Sequence, residues 1–295
     1  MGRGRVVSSV LIAFAVIAAF FIVRAKASTE HPPAAQGLIA TPTTIARSSS
    51  SYKIPAAPPA SLITNMKLSF DATFSGSRLN SALWSTCYPW VPTGKGCTNF
   101  GNGSREEEWY MPPQDRVYGG SLHIVAQHLP TRGTDKSGAP KEYECRSGMV
   151  TTYKSFRFEY GYVKTVARIP YSKGLWSALW LAAANLKWPP EIDIMEHVGT
   201  TLQYSEYLHR VNLPRLGVSH DVPNLSTGWH DIGLLWTRTQ VTWYIDGVVA
   251  ASTTKGVPQQ PMYFIANVAD DASGAGSCSG TMLVQSVKIW TPKKP

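Results

Sequence analysis

Charged side chains make up only 16% of this 295-residue chain, against 43% hydrophobic. That balance excludes an intrinsically disordered or coiled-coil protein. Cysteine is also sparse. Cys87, Cys97, Cys145 and Cys278 form no C-x-x-C pair, so no structural zinc knuckle is encoded. The seven histidines make no H-E-x-x-H or H-x-H pattern, so neither a catalytic metal nor a required cofactor is expected. Gly274-Ala275-Gly276 lacks the strand and helix of a phosphate loop, which leaves no nucleotide site. No run of Lys and Arg alternates with stacking aromatics. The formal charge of +9 comes from 28 Lys+Arg against 19 Asp+Glu, yet Arg3, Arg5, Arg24 and Lys26 lie in an N-terminal stretch with no acid. Without that stretch 24 bases face 19 acids, or +5, which is no argument for nucleic acid.

Aromatics, glycine and proline are plentiful. Ten Trp, thirteen Tyr, 24 Gly and 21 Pro point to an all-β protein, because aromatics fill pleated surfaces and Gly/Pro punctuate turns. Residues 1–27 read as a signal peptide: Arg3 and Arg5, an apolar run from Val10 to Val23, then Ala25-Lys26-Ala27 as a cleavage site. The alternative is a retained signal anchor, and only then is a membrane a partner. Either way the rest is exported, and the cysteines suit an oxidising compartment. Residues 28–60, rich in Pro, Ala, Ser and Thr, read as an extended linker. Residues 61–295 are left for one β-sandwich domain, expected to be monomeric. Four cysteines allow three connectivities. Cys87 with Cys97 is the simplest pairing, leaving Cys145 with Cys278; free buried thiols are the alternative.

Short alternating patterns predict strands over Ser121–Ala126, Gly148–Tyr153, Phe156–Ile169, Trp229–Thr237, Met262–Val268 and Met282–Trp290. Asp246-Gly247 between two such runs predicts a hairpin. Leu175 to Leu186 is ambiguous, since Trp176 and Trp180 fit a period of two or of four. No amphipathic helix follows the N-terminal run.

One segment carries chemistry: Glu191-Ile192-Asp193-Ile194-Met195-Glu196. In a strand, Glu191 and Asp193 share a face while Ile192 and Ile194 point to the core. The five-residue spacing would send Glu196 to the opposite face, and one bulged residue, Met195, restores it. Two glutamates flanking an aspartate suit a two-carboxylate glycosidase, in which one attacks the sugar carbon and the other protonates the leaving oxygen. Four strand steps put the two glutamate backbones about 13 Å apart. Side chains leaning together could then reach the ~5–5.5 Å carboxyl separation of a retaining enzyme. Trp176, Trp180 and Trp188 lie near the acidic strand and form a candidate sugar platform, aromatic faces stacking on pyranose rings.

The hexapeptide, preceded by Tyr160-Gly161 and by Gly174-Leu175-Trp176-Ser177-Ala178-Leu179-Trp180, resembles glycoside hydrolase family 16. So do His209, Trp229-His230-Asp231, Trp243-Tyr244-Ile245-Asp246-Gly247 and Phe264-Ile265-Ala266-Asn267. The resemblance spans about Phe70 to Trp290. It implies a concanavalin A-like jelly-roll sandwich with a carbohydrate cleft on its concave face. It further implies Glu191 as nucleophile, Asp193 as its electrostatic partner and Glu196 as general acid and base, with Trp176, Trp180 and His209 beside them. The inserted Met195 matches laminarinase-like branches, which favours β-1,3-glucan, although galactan hydrolases also carry the bulge. A transglycosylase and a lectin-like binding module are the competing functions. Tyr162 and Lys164 stand where the family often has Arg and Glu, which bears on substrate if that Arg contacts sugar. Glu106-Glu107-Glu108-Trp109-Tyr110 loosely resembles another family segment. Asp270-Asp271 could join a structural calcium site, an exposed turn being the alternative. Asn102-Gly103-Ser104 and Asn224-Leu225-Ser226 match the glycosylation sequon.

Overall fold

The computed structural model describes residues 60–90, 99, 105–200, 203–271, 276 and 278–293. The N-terminal apolar run, nearly all of the linker and Cys97 lie outside them. Among the described residues sixteen strands follow in order: β1 Met66–Thr73, β2 Glu108–Tyr110, β3 Asp115–Tyr118, β4 Ser121–Thr134, β5 Pro140–Ser147, β6 Met149–Thr151, β7 Gly161–Arg168 and β8 Leu175–Ala183. The second half holds β9 Glu191–Val198, β10 Gln203–Arg210, β11 Leu213–Asp221, β12 His230–Trp236, β13 Val241–Ile245, β14 Val248–Thr253, β15 Met262–Asp270 and β16 Ser279–Pro292. Among the described residues, helix is confined to α1, Ala60–Ile63, and a 3-10 turn at Pro112–Gln114.

The strands form two sheets. One has six strands in the order β11-β10-β9-β8-β15-β6, and the other has ten, with β14-β13-β12-β7-β16-β4-β5-β2 along its main path. Period-2 alternation makes the sandwich. Leu179 and Leu181 of β8, Ile192 and Ile194 of β9, and Tyr204 and Leu208 of β10 turn inward. There they join Val163 and Ala167 of β7, Ile232 and Leu234 of β12, and Val241, Trp243 and Ile245 of β13. Each Leu, Ile and Val among them contributes about 1.5–3 kcal/mol when fully buried.

The Asp246-Gly247 hairpin forms as expected. Both residues have positive φ, 52° and 79°, the pair of left-handed conformations a type I′ turn requires. The ambiguous Leu175–Leu186 segment is a strand to Ala183, so Trp176 and Trp180 share a face. One expected strand is corrected: Phe156–Ile169 is interrupted, and β7 begins only at Gly161. Tyr160 turns the chain at φ 62°, and a Cβ on Gly161 would meet the carbonyl oxygen of Trp290 at 2.2 Å. Cys145 and Cys278 form a disulfide with Cα atoms 5.7 Å apart, tying β5 to the segment entering β16. Cys87 is also disulfide-bonded, while the Cys97 of the expected pairing lies outside the described residues.

Candidate active site

Strand β9 carries the acidic hexapeptide, and its pairing breaks register on both sides. Toward β8, Met195 pairs with Leu179 but Asp193 with Trp180, so Ile194 is extra. Toward β10, Glu196 pairs with Ser205 and Asp193 with Tyr207, leaving Ile194 and Met195 opposite the single residue Glu206. The bulge therefore spans Ile194 and Met195, and both side chains are fully buried. A bulge strands main-chain groups, and here side chains satisfy them. Trp243 Nε1 donates to the Asp193 carbonyl at 2.9 Å, and Tyr204 OH donates to the Ile194 carbonyl at 3.0 Å. Glu191, Asp193 and Glu196 consequently face one cleft.

That cleft has a volume of about 380 Å³. Trp176, Trp180, Trp188 and His209, all anticipated from sequence, line it together with the three carboxylates. Ala182 and Ala178 of β8 stand directly opposite Glu191 and Glu196, four residues apart, and their small side chains leave space for the carboxylates. Trp176 Nε1 donates to Glu196 Oε1 at 3.0 Å. The Trp188 ring lies 5.3 Å from that of His209. At 65% exposed, Trp188 offers most of its surface to solvent, unlike buried Trp180.

Burial governs the electrostatics. It pushes the Glu191 and Glu196 carboxyls well above the usual carboxylate range, and the neighbouring Asp193 charge adds to the rise in both. His209 and the Trp188 indole pull Glu191 back, and the Trp176 indole pulls Glu196 back. Asp193 itself is raised by burial to about 7, against the opposing pull of the Arg215 guanidinium. His209 is lowered, chiefly by burial. Crowded carboxyls of this kind keep one group protonated while another ionises, which is the division acid–base glycoside chemistry needs.

Sequence reasoning does not find Tyr88, Glu106, Arg215 and Asn267 as cleft residues, although all four line it. Asn267 belongs to a familial segment, but nothing in that segment marks it as a cleft residue. It accepts from Trp180 Nε1 at 2.8 Å and donates to Tyr110 OH at 3.0 Å, which fixes the indole. Arg215 reaches the cleft from the edge strand β11, its guanidinium 4.3 Å from the Tyr207 ring. No local pattern marks it.

Tyr162 and Lys164, which stand where the family often has Arg and Glu, do not line the cleft. Both sit on β7 of the ten-stranded sheet, on the face away from the sandwich interior. Tyr162 packs with Tyr244 and Trp290, and Lys164 makes a buried 2.7 Å ion pair with Asp231. The calcium expectation does not fit either, because the Asp271 carboxylate is taken by the Arg105 guanidinium.

The comparisons agree with this geometry. The family described as glycosyl hydrolases family 16 matches residues 121–282. Two endo-1,3-1,4-beta-glycanases of Rhizobium meliloti are similar to the chain. One is 32% identical over 216 residues, covering 68% of this chain and 44% of that protein; the other is 30% identical, covering 71% and 46%. The matched part thus spans less than half the length of these curated relatives. The catalytic domain of an endo-1,3-beta-glucanase (laminarinase) from Thermotoga petrophila superposes with a TM-score of 0.65 at 26% identity, over 78% of this chain and 99% of that one. The chain belongs to glycosyl hydrolase family 16, and its fold is the jelly-roll β-sandwich expected from sequence.

Proposed function

We propose that this chain is an exported, endo-acting, retaining β-glycoside hydrolase whose substrate is a β-1,3-linked glucan. The observation that carries the reading is the Ile194–Met195 bulge, which turns Glu191, Asp193 and Glu196 onto one face of a cleft lined by tryptophan. Their β10 partners, His209 and Ser205, are four residues apart, so the glutamate backbones lie about 13 Å apart along the strand. Two side chains leaning toward a bond between them suit the short carboxyl separation of retention. Glu191, ionised beside His209, attacks the anomeric carbon as Glu196 gives its proton to the departing oxygen. Glu196 then takes a proton from water as the water oxygen bonds to the anomeric carbon, breaking the bond to Glu191 and releasing the sugar. Asp193 holds the two glutamates in opposite protonation states. Tyr88 and Trp180 on one flank of β9, and His209 and Arg215 on the other, supply contacts for sugars on both sides of the bond, as endo cleavage requires.

The printed names of the Rhizobium and Thermotoga relatives support a β-glucan substrate. The apolar run with its Ala25-Lys26-Ala27 site and the Cys145–Cys278 disulfide support export. Product analysis on β-1,3-glucan, mixed-linkage glucan, xyloglucan and galactans tests the reading. Shortened β-1,3-glucan is expected. Products longer than the donor would indicate a transglycosylase, and no cleavage of any glycan a binding module. Azide rescue tests the roles: Glu196→Ala should yield a β-glycosyl azide and Glu191→Ala the α-azide. Exchanged products would reverse the assignment.

A further inference from the structure

We propose that the cleft also binds one borderline divalent transition-metal ion, of which zinc is the type, through Glu191, Asp193 and His209, and that the bound ion blocks the site. The inhibitory consequence rests on the reading of Glu191 as nucleophile; the binding itself does not. His209 stands directly across from Glu191 in the β9–β10 ladder, and Asp193 lies two residues along on the same face. His209 Nε2 is 3.3 Å from Glu191 Oε1 and 3.4 Å from Asp193 Oδ2, and all three donor atoms lie within 4.8 Å of one another. Tetrahedral zinc with ligands at about 2.1 Å separates neighbouring donors by about 3.4 Å, so the two measured edges already fit.

Hydrogen bonding leaves this arrangement incomplete. One imidazole nitrogen faces two carboxylates, and buried Asp193 Oδ2 accepts no hydrogen bond although its residue is only 3% exposed. A cation at the centre of the three donors would serve all of them. Glu196 and Glu106 add carboxyl oxygens around the position, and Arg215 is the one Lys or Arg among the described lining residues. An imidazole with two carboxylates selects zinc, copper or nickel over calcium or magnesium, and the open cleft leaves a fourth position for water. The other acid and sulfur grouping, Cys145, Asp270 and Cys278, is no competitor because both sulfurs are in the disulfide. Since the ligands must be deprotonated, binding tightens as pH rises.

The test uses zinc and cobalt(II) on the full chain without sugar. One ion per chain is expected by calorimetry, with the strong visible absorption of four-coordinate cobalt. His209→Ala and Asp193→Asn should each weaken zinc binding roughly tenfold or more. His128→Ala, at an exposed histidine 3.9 Å from Glu144, should leave it unchanged. No binding, a six-coordinate cobalt spectrum, full affinity in the two cleft variants, or loss in His128→Ala would each overturn the proposal. The cobalt spectrum needs no variant, so a misfolded substitution does not decide the matter. A chain that binds zinc in this pattern but, freed of metal by a chelator, cleaves no glycan overturns the hydrolase reading alone. One that cleaves glucan and ignores zinc overturns the metal site alone.

Discussion

The indole Nε1 of Trp243 reaches from β13 across the sandwich core to the main-chain carbonyl of Asp193, 2.9 Å away. The ten-stranded sheet thereby holds the bulge of the six-stranded one. Trp243→Phe keeps a ring but leaves that buried carbonyl without its donor, a loss of about 1–3 kcal/mol. Denaturant unfolding should show this, together with a lower kcat on β-1,3-glucan. Unchanged stability and kcat would mean that the bulge holds its shape unaided.

Asp193 raises both glutamates through its charge, second to burial. Asp193→Asn removes that like-charge repulsion. The protons on Glu191 and Glu196 are then lost at lower pH, and both limbs of the kcat/KM profile should move in the acid direction. A pH profile whose limbs stay in place would show that the aspartate acts by shape only.

Behind the bulge, Glu206 is buried against His220, with Oε2 and Nε2 3.1 Å apart. Burial raises Glu206 from 4.5 to about 7, and the neighbouring Glu206 carboxylate raises His220. Both folded values lie above the unfolded ones. Their contribution to stability is therefore complete at low pH and is lost as pH rises through about 7. Glu206→Gln should flatten the fall in unfolding free energy between about pH 4.5 and 7, on the order of 3 kcal/mol in the parent. An equal slope in parent and variant would sink the assignment.

The Cys145–Cys278 bond closes a loop with a sequence separation of 133. Loop-closure entropy assigns it about 5 kcal/mol, and removal of native disulfides typically costs about 2–5 kcal/mol. Cys145→Ser with Cys278→Ser should lower stability by an amount in that range. Calorimetry of the double variant measures it, and a shift under 1 kcal/mol would contradict the prediction.

Lys164→Met leaves Asp231 buried without its 2.7 Å partner. Loss of about 3–5 kcal/mol is expected, with the order of preference among glycans unaltered. A changed preference would return Lys164 to the substrate question.

Much of this protein is written locally. Alternation of apolar and polar residues in short runs, the Asp246-Gly247 turn and the family motifs are enough to specify an all-β sandwich, because side-chain direction in a strand is set by period two. The odd spacing of Glu196 likewise betrays the bulge, since only an extra residue can keep three carboxylates on one face and two isoleucines in the core. Tertiary structure alone decided the rest. Arg215 and Glu106 enter the cleft from a distant edge strand and from the segment before β2, and Trp243 braces the bulge from the other sheet. Tyr162 and Lys164 look like cleft substitutions by motif position yet pack on the far face of β7. His209 meets Glu191 only through β9–β10 register. Such contacts join residues far apart in the chain, and no pattern within one strand can state which strand will become its neighbour.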